Sequence, residues 1–257
     1  MQSEDNAFNE NAEHYDTARP GYPRQLYDTI NRHKHFDSNS YILEIGAGTG
    51  IASFEIYEKW SPSLVLVEPG NKLCEILGDK FKGKSIEIIN TAFENYRTDK
   101  LFDGIFSATS FHWIDPSIKY AKCFHLLKPD GLLSVYWNRY AVADNGIGNE
   151  IQRVYQNYDG EEIPDNEEVL NLQLNDTMKE IDETQFNSYF MLKDRKHFIN
   201  ILNYNTEKYI SLLHSYSGHR KYDSSFYEGI KSIVDRNGGN IDMRILTNLH
   251  VYKKINR

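Results

Sequence analysis

Cysteine, basic charge and long apolar runs are all scarce in this chain of 257 residues, and each scarcity removes a class of protein. The two cysteines, Cys74 and Cys123, stand at no metal-ligand spacing, which argues against a disulfide framework or a zinc site. Lysine and arginine total 29 against 37 acidic residues, a formal net charge of −8. That balance leaves no basic footprint for nucleic acid, although a local basic patch can sit inside an acidic total. No run approaches the length of a membrane span, and the polar, acidic N-terminus has no apolar signal region. The expectation is therefore a reducing, cytoplasmic setting with no membrane, nucleic-acid or metal partner. Repeats and low-complexity stretches are absent too. What the chain does have is a hydrophobic fraction of 40 %, enough for a real core, and 18 tyrosines with 13 phenylalanines. That aromatic load is compatible with a closed ligand pocket.

The chain is organised around Ile42 to Gly50, ILEIGAGTG. A short apolar run through Glu44 and Ile45 reads as a buried strand, broken by glycines at alternate positions, Gly46, Gly48 and Gly50, before a helical pattern opens at Ile51. Strand, glycine turn and helix is how an open α/β sheet presents a nucleotide-like ligand, because glycine lets backbone turn sharply and come close. A dinucleotide fingerprint wants G-x-G-x-x-G, and position 51 is isoleucine. A second strand, Leu64 to Val67, ends at Glu68-Pro69, one helix and one strand beyond the glycines. An acid at that place can accept hydrogen bonds from both ribose hydroxyls of a nucleoside.

Further elements follow in order. A helix over Arg24 to His33 sits behind the Pro20-Gly21-Tyr22-Pro23 turn, and Asn71 is expected to cap a helix with Leu73, Ile76, Leu77 and Phe81 on its apolar face. Strand three is expected at Ser85 to Ile89 and strand four at Leu101 to Phe106, leading into SATSFHWID. Asp115-Pro116 opens a helix that Lys128-Pro129-Asp130-Gly131 closes with a turn before strand five, Leu132 to Asn138. Residues 139–182 turn polar and acidic around one amphipathic helix (Ile151, Val154, Tyr155, Tyr158). Strand six is expected within Phe186 to Ile199, and Thr206 is expected to cap a helix through Leu213. A last helix stops at Gly238-Gly239, and Ile241 to Ile255 supplies strand seven.

The form E-x-G-x-G-x-G, with Glu44 two residues before Gly46, resembles motif I of class I S-adenosylmethionine methyltransferases. FNENAEHYDTARPGYP (Phe8 to Pro23), the triplet Phe111-His112-Trp113, LLKPDGLLSVYWN and HSYSGHR are similar to segments of the trans-aconitate methyltransferase-like branch. The resemblance covers residues 8–140 well and 206–257 more weakly. It implies a Rossmann-like seven-stranded mixed sheet, its last strand antiparallel, with helices on both faces, in one domain over 1–257. The parts would be an N-terminal lid and helix (1–35), a cofactor core (36–140), a helical cap inserted before strand six (141–185) and completing strands and helices (186–257).

The same resemblance implies a cofactor, S-adenosyl-L-methionine, leaving as S-adenosyl-L-homocysteine. Its site would use Tyr15, Arg19, Glu44, Gly46, Ala47, Gly48, Gly50, Glu68, Pro69, Ala92, Phe93 and Ser107. Thr91 and Ala92 stand where an acid that holds the adenine is frequent, so backbone or Glu94 must serve there. Tyr22, Ser110, Trp113, Trp137, Asn138 and Tyr216 would line the acceptor pocket, and His112 is the leading candidate for a base, with a packing role as its plainer reading. Methyl transfer to a small-molecule acceptor is the expected function. A protein that binds the cofactor without catalysis, a methyltransferase acting on RNA or protein, and an NAD-dependent dehydrogenase stay open at this point, and oligomeric state is open as well.

Overall fold

The computed structural model describes residues 18–160, 168 and 186–255. Tyr15 and most of the expected insertion therefore lie outside the described residues. Strand β1, Tyr41–Ile45, is buried at four of its five positions, the mark of a strand covered on both faces. Helix α1 (Arg24–His33) precedes it, and α2 (Ile51–Trp60), β2 (Ser63–Glu68), α3 (Asn71–Lys80) and β3 (Ile86–Asn90) follow. The chain then crosses back to β4 (Phe102–Ala108), a short 3-10 turn at Phe111–Trp113, α4 (Pro116–Leu126) and β5 (Leu127–Val142). Helices α5 (Asn145–Asp159), α6 (Thr206–His214) and α7 (Ser224–Arg236) alternate with the long strands β6 (Phe190–Asn205) and β7 (Asn240–Lys254).

The seven strands form one mixed sheet in the order β3-β2-β1-β4-β5-β7-β6, the last strand antiparallel, as expected from the sequence. β1 pairs in parallel with β2 on one side and β4 on the other. The order thus reverses between β1 and β4, and the carboxyl ends of those two strands make the crevice in which open α/β sheets place ligands.

The described residues fall into two compact units, divided along the chain at Arg19/Pro20, Asn138/Arg139, Phe198/Ile199 and Leu246/Thr247. In the unit holding β1 to β4, successive strand residues feed opposite cores, as a period of two requires. Leu43, Ile45, Val65, Val67 and Ile105 pack with Phe111, Tyr120 and Cys123, whereas Ile42, Leu64, Leu66 and Phe106 pack with Leu26, Ile30, Ile56 and Trp60 of α1 and α2. In the other unit, Ile151 of α5, Tyr209 and Leu212 of α6, and Phe226, Ile230 and Val234 of α7 gather around Ile241, Met243 and Ile245.

Four expectations need correction. Asn71 is the first helical residue of α3 rather than its cap; Gly70 takes that position and no side chain caps the helix. At α6, Asn205 is the cap, accepting from the Lys208 N–H at 2.8 Å, and the Thr206 hydroxyl instead donates to Asp235. Lys128-Pro129-Asp130-Gly131 does not precede strand five but bulges within it. Phe102 pairs with Leu127 and Gly104 with Leu132, so the extra β5 residues loop out, with Asp130 at φ +62°. Aspartate tolerates that left-handed conformation better than most residues do. Strand six starts later and runs further than its aromatic pattern suggested. Phe186 is already buried ahead of it, while much of β6, at the sheet edge, is exposed and carries little alternation to read.

Gly104 in β4 sits where Phe36 and Phe106 close in. A Cβ there would lie 2.8 Å from ring carbons of both. Gly104→Ala is expected to lose about 1–3 kcal/mol through overpacking. A urea midpoint equal to wild type would show instead that the two rings yield without cost.

Candidate active site

The turn from β1 into α2 runs through three left-handed residues, Gly46 at φ +69°, Gly48 at +58° and Gly50 at +81°. A side chain at Gly46 would also collide with Ser110, whose Cβ is 2.5 Å from the position a Cβ would take. The turn is tied to β2 at two points. Gly46 N donates to the Val67 carbonyl (2.8 Å), and Gly48 N donates to Glu68 Oε2 (2.9 Å). The other Glu68 oxygen accepts from Gly70 N at 2.9 Å, so one carboxylate joins the glycine turn to the loop that opens α3. Glu68 is only 5 % exposed. Ala47 is buried within the turn, and Pro69 is exposed beyond it, its carbonyl accepting from Asn90.

Glu44 lies beneath the turn, 1 % exposed, with Oε2 accepting from the Ser53 hydroxyl of α2 at 2.5 Å. Its Oε1 has no hydrogen-bond partner among the described residues. Burial pushes the Glu44 carboxyl up to about 8. Glu55 of α2 is pushed up to about 7 by burial, against the opposing hydrogen bonds from the Tyr27 hydroxyl and the Tyr22 N–H. The neighbouring Glu55 and Glu68 carboxylates add to the upward push on Glu44, behind burial.

The loop after β4 closes the other side of the crevice. The Ser107 and Ser110 hydroxyls bond one another (2.6 Å), and Ser110 donates to the Ile45 carbonyl (2.6 Å), locking the ends of β4 and β1 together. Thr109 holds φ +53°, a strained conformation for a β-branched residue, with its N–H on the Tyr136 carbonyl and its hydroxyl 3.0 Å from that of Tyr22. His112 Nδ1 accepts from the Trp137 indole N–H at 3.3 Å. An indole only donates, so the neutral imidazole carries its proton on Nε2. The lone pair a general base would use is already engaged. Beyond β3, the Lys122 ammonium donates to the carbonyls of Phe93, Glu94 and Tyr96, which fixes the loop bearing Ala92 and Phe93. Glu94 Oε1 accepts from Asp115 N, bracing the start of α4.

The other expected acceptor-side residues are placed differently from one another. Trp113 is 46 % exposed and Trp137 is buried in the core at 1 %. Asn138 spends its whole amide on protein: Nδ2 donates to the carbonyls of Pro20 and Gly21, and Oδ1 accepts from Thr247. Arg19 and Tyr216 belong to the second unit, where the Arg19 guanidinium donates to the Ser215 hydroxyl and carbonyl and lies 5.5 Å from the Tyr216 ring centre. Thr109, Ser53, Glu55 and Lys122 were not singled out in the sequence. Ser53 and Glu55 follow the glycines on a helix and carry no motif, and nothing local announces a threonine at positive φ.

Glycine turn, strand-end acid and switch-point crevice together define a nucleoside-binding α/β domain. Residues 42–131 match the family described as a methyltransferase domain. Over that stretch the chain is similar to methyltransferase domains, and its seven-stranded sheet has the Rossmann-like fold of methyltransferase structures. An uncharacterized methyltransferase of Schizosaccharomyces pombe is 28 % identical over 133 residues, 52 % of this chain and 51 % of that one. The chain thus aligns with about half the length of the first of these relatives. A Saccharomyces cerevisiae protein, named provisionally as an S-adenosylmethionine-dependent methyltransferase, is 25 % identical over 78 % of this chain and 61 % of its own length. A solved structure, provisionally a type II methyltransferase from Anaeromyxobacter dehalogenans, shares the fold with a TM-score of 0.60 at 13 % identity, covering 91 % of this chain and 97 % of that one.

The buried acids generate a pH test. Glu44 binds its proton more tightly folded than unfolded, so its contribution falls as pH rises from about 4.5 towards about 8. Below pH 6.5, His219 and His250 pull the opposite way, since burial holds them down at about 4 and about 3. Comparing variants isolates the acid. Glu44→Gln is expected to gain stability relative to wild type between pH 5 and pH 8 in urea titrations. Parallel curves for the two proteins would remove Glu44 as the titrating group.

Proposed function

We propose that the chain is an S-adenosylmethionine-dependent methyltransferase acting on a small-molecule acceptor, with O-methylation of a carboxylate or hydroxyl favoured. The observation that carries the cofactor is Glu68, a buried carboxylate at the end of β2 that reaches back to the glycine turn. The residues suit the group. Three left-handed glycines leave backbone open to close approach, and the Glu68 carboxylate beside them suits a cationic sulfonium. S-adenosylmethionine, when bound, supplies an electrophilic methyl, chemistry that no side chain provides. Gly46, Gly48 and Gly50 would hold its amino-acid part and Glu68 its ribose. Ala92 and Phe93, on the loop fixed by Lys122, would flank the base. The chain's own contribution is alignment and exclusion of water.

His112 bears on the acceptor. A phenol or an amine benefits from a proton acceptor, and the Trp137 indole already occupies the His112 Nδ1 lone pair. A carboxylate is already a nucleophile at neutral pH and needs only to be positioned. The net charge of −8 supports a small molecule over RNA. Kinship with the trans-aconitate methyltransferase-like branch, suggested by Phe8 to Pro23 and Phe111 to Trp113, belongs to the same reading. So does a reducing, cytoplasmic setting, in keeping with the free thiols of Cys74 and Cys123.

Calorimetry with S-adenosylhomocysteine tests the cofactor. Wild type is expected to bind, and Glu68→Ala to bind roughly tenfold or more weakly, the scale for losing a charged hydrogen-bond acceptor. Gly48→Val, forced to positive φ, is expected to lose binding. Folded wild type that ignores S-adenosylhomocysteine and binds NAD would overturn the proposal. Transfer of labelled methyl to a panel of carboxylic acids, phenols and amines then separates an enzyme from a protein that only binds the cofactor.

A further inference from the structure

The Pro20–Pro23 turn is fastened more heavily than a connector needs. Asn138 Nδ2 donates to the carbonyls of Pro20 and Gly21. The Tyr22 N–H donates to both oxygens of Glu55, at 3.0 and 3.2 Å, and the Tyr27 hydroxyl of α1 donates to Oε2 at 2.8 Å. The Glu55 carboxylate packs so closely on residue 21 that a Cβ there would overlap Oε1, so the fastening needs glycine at that position. The Tyr22 ring in turn stands edge-on to Tyr136, 4.7 Å between centres, and its hydroxyl meets that of Thr109 at 3.0 Å. Thr109 is the strained residue of the loop after β4, held at φ +53°. Its neighbour Ser110 is the side chain packed against Gly46 and bonded to the Ile45 carbonyl.

We propose that Glu55 is a positioning residue: through Tyr22 it latches the loop after β4, and so sets Ser110 against the glycine turn. Its role in a reaction rests on the methyltransferase reading; the latch itself does not. A strained threonine persists only where its surroundings over-determine it, and here two groups do so, the Tyr136 carbonyl on its N–H and the Tyr22 hydroxyl on its side chain. Glu55 holds the backbone N–H of Tyr22, the residue whose hydroxyl supplies the second. Glu55 sits on α2, the helix that begins at Gly50, so the latch and the glycine turn share one rigid element.

Hydrogen exchange on the protein without cofactor tests this directly. Glu55→Ala is expected to speed exchange about tenfold in the segment 107–113 as well as at Tyr22, with 41–45 unchanged; a lost charge-assisted bond sets that scale. Tyr22→Phe, which keeps the backbone bond to Glu55, should speed 107–113 alone. Adding Glu55→Ala to it should give little more in that segment. Glu55→Gln keeps an acceptor oxygen and should restore most of the protection. The latch is refuted by either of two outcomes: exchange in 107–113 at the wild-type rate in Glu55→Ala and Tyr22→Phe, or effects of the two variants that simply add. Failure of S-adenosylhomocysteine to bind would count against the reaction and leave the exchange result intact.

Discussion

The backbone between Ile45 and Ile51 must pass through the left-handed region three times, and the rest of the core is arranged around that demand. Glycine meets it without steric cost, and the space its missing side chains leave is used at once. Ser110 packs against Gly46, while Leu77 of α3 and Phe81 just beyond it close on Gly50, where a Cβ would lie 2.7 and 2.8 Å from them. A turn so short of side chains has little to hold it in place. Glu68 supplies that hold from β2, and the Ile45 carbonyl takes the Ser110 hydroxyl from the loop after β4. Strand, turn and crevice are therefore one mechanical object, and a change to any glycine is felt in three elements.

What the sequence made legible was whatever is encoded locally. Alternate glycines after a buried apolar run located β1, the turn and α2, and an acid ending the next apolar run located Glu68. Helix α1 was readable to the residue, since the Pro20–Pro23 turn fixes its start and Leu26, Tyr27 and Ile30 give it one apolar face. Caps were readable only in part. Asn71 and Thr206 have the right chemistry, but backbone geometry gave both cap positions to the residue before. The bulge at Lys128–Gly131 could not be separated from a turn, because the two use the same residues and differ only in what the partner strand does.

The candidate site was legible as a set of positions and not as a set of roles. Ser110 and His112 were found by their place after β4, yet His112 is defined by Trp137, which is remote in sequence. Asn138 lies inside β5, which runs on to Val142, rather than at a strand exit, and its amide is consumed by Pro20, Gly21 and Thr247. Glu55 and Thr109 were invisible because each matters through a partner that no local pattern names. Hydrogen bonds between distant segments assign roles, and a single chain read in order does not contain them.

The carboxylate of Glu68 has one more consequence. Peptide N–H groups bared at a glycine turn before a helix make a ready nest for phosphate. Here the Gly48 N–H is filled from within, by the protein's own anion. A pyrophosphate arriving there would meet a buried negative charge where its counterparts elsewhere find donors.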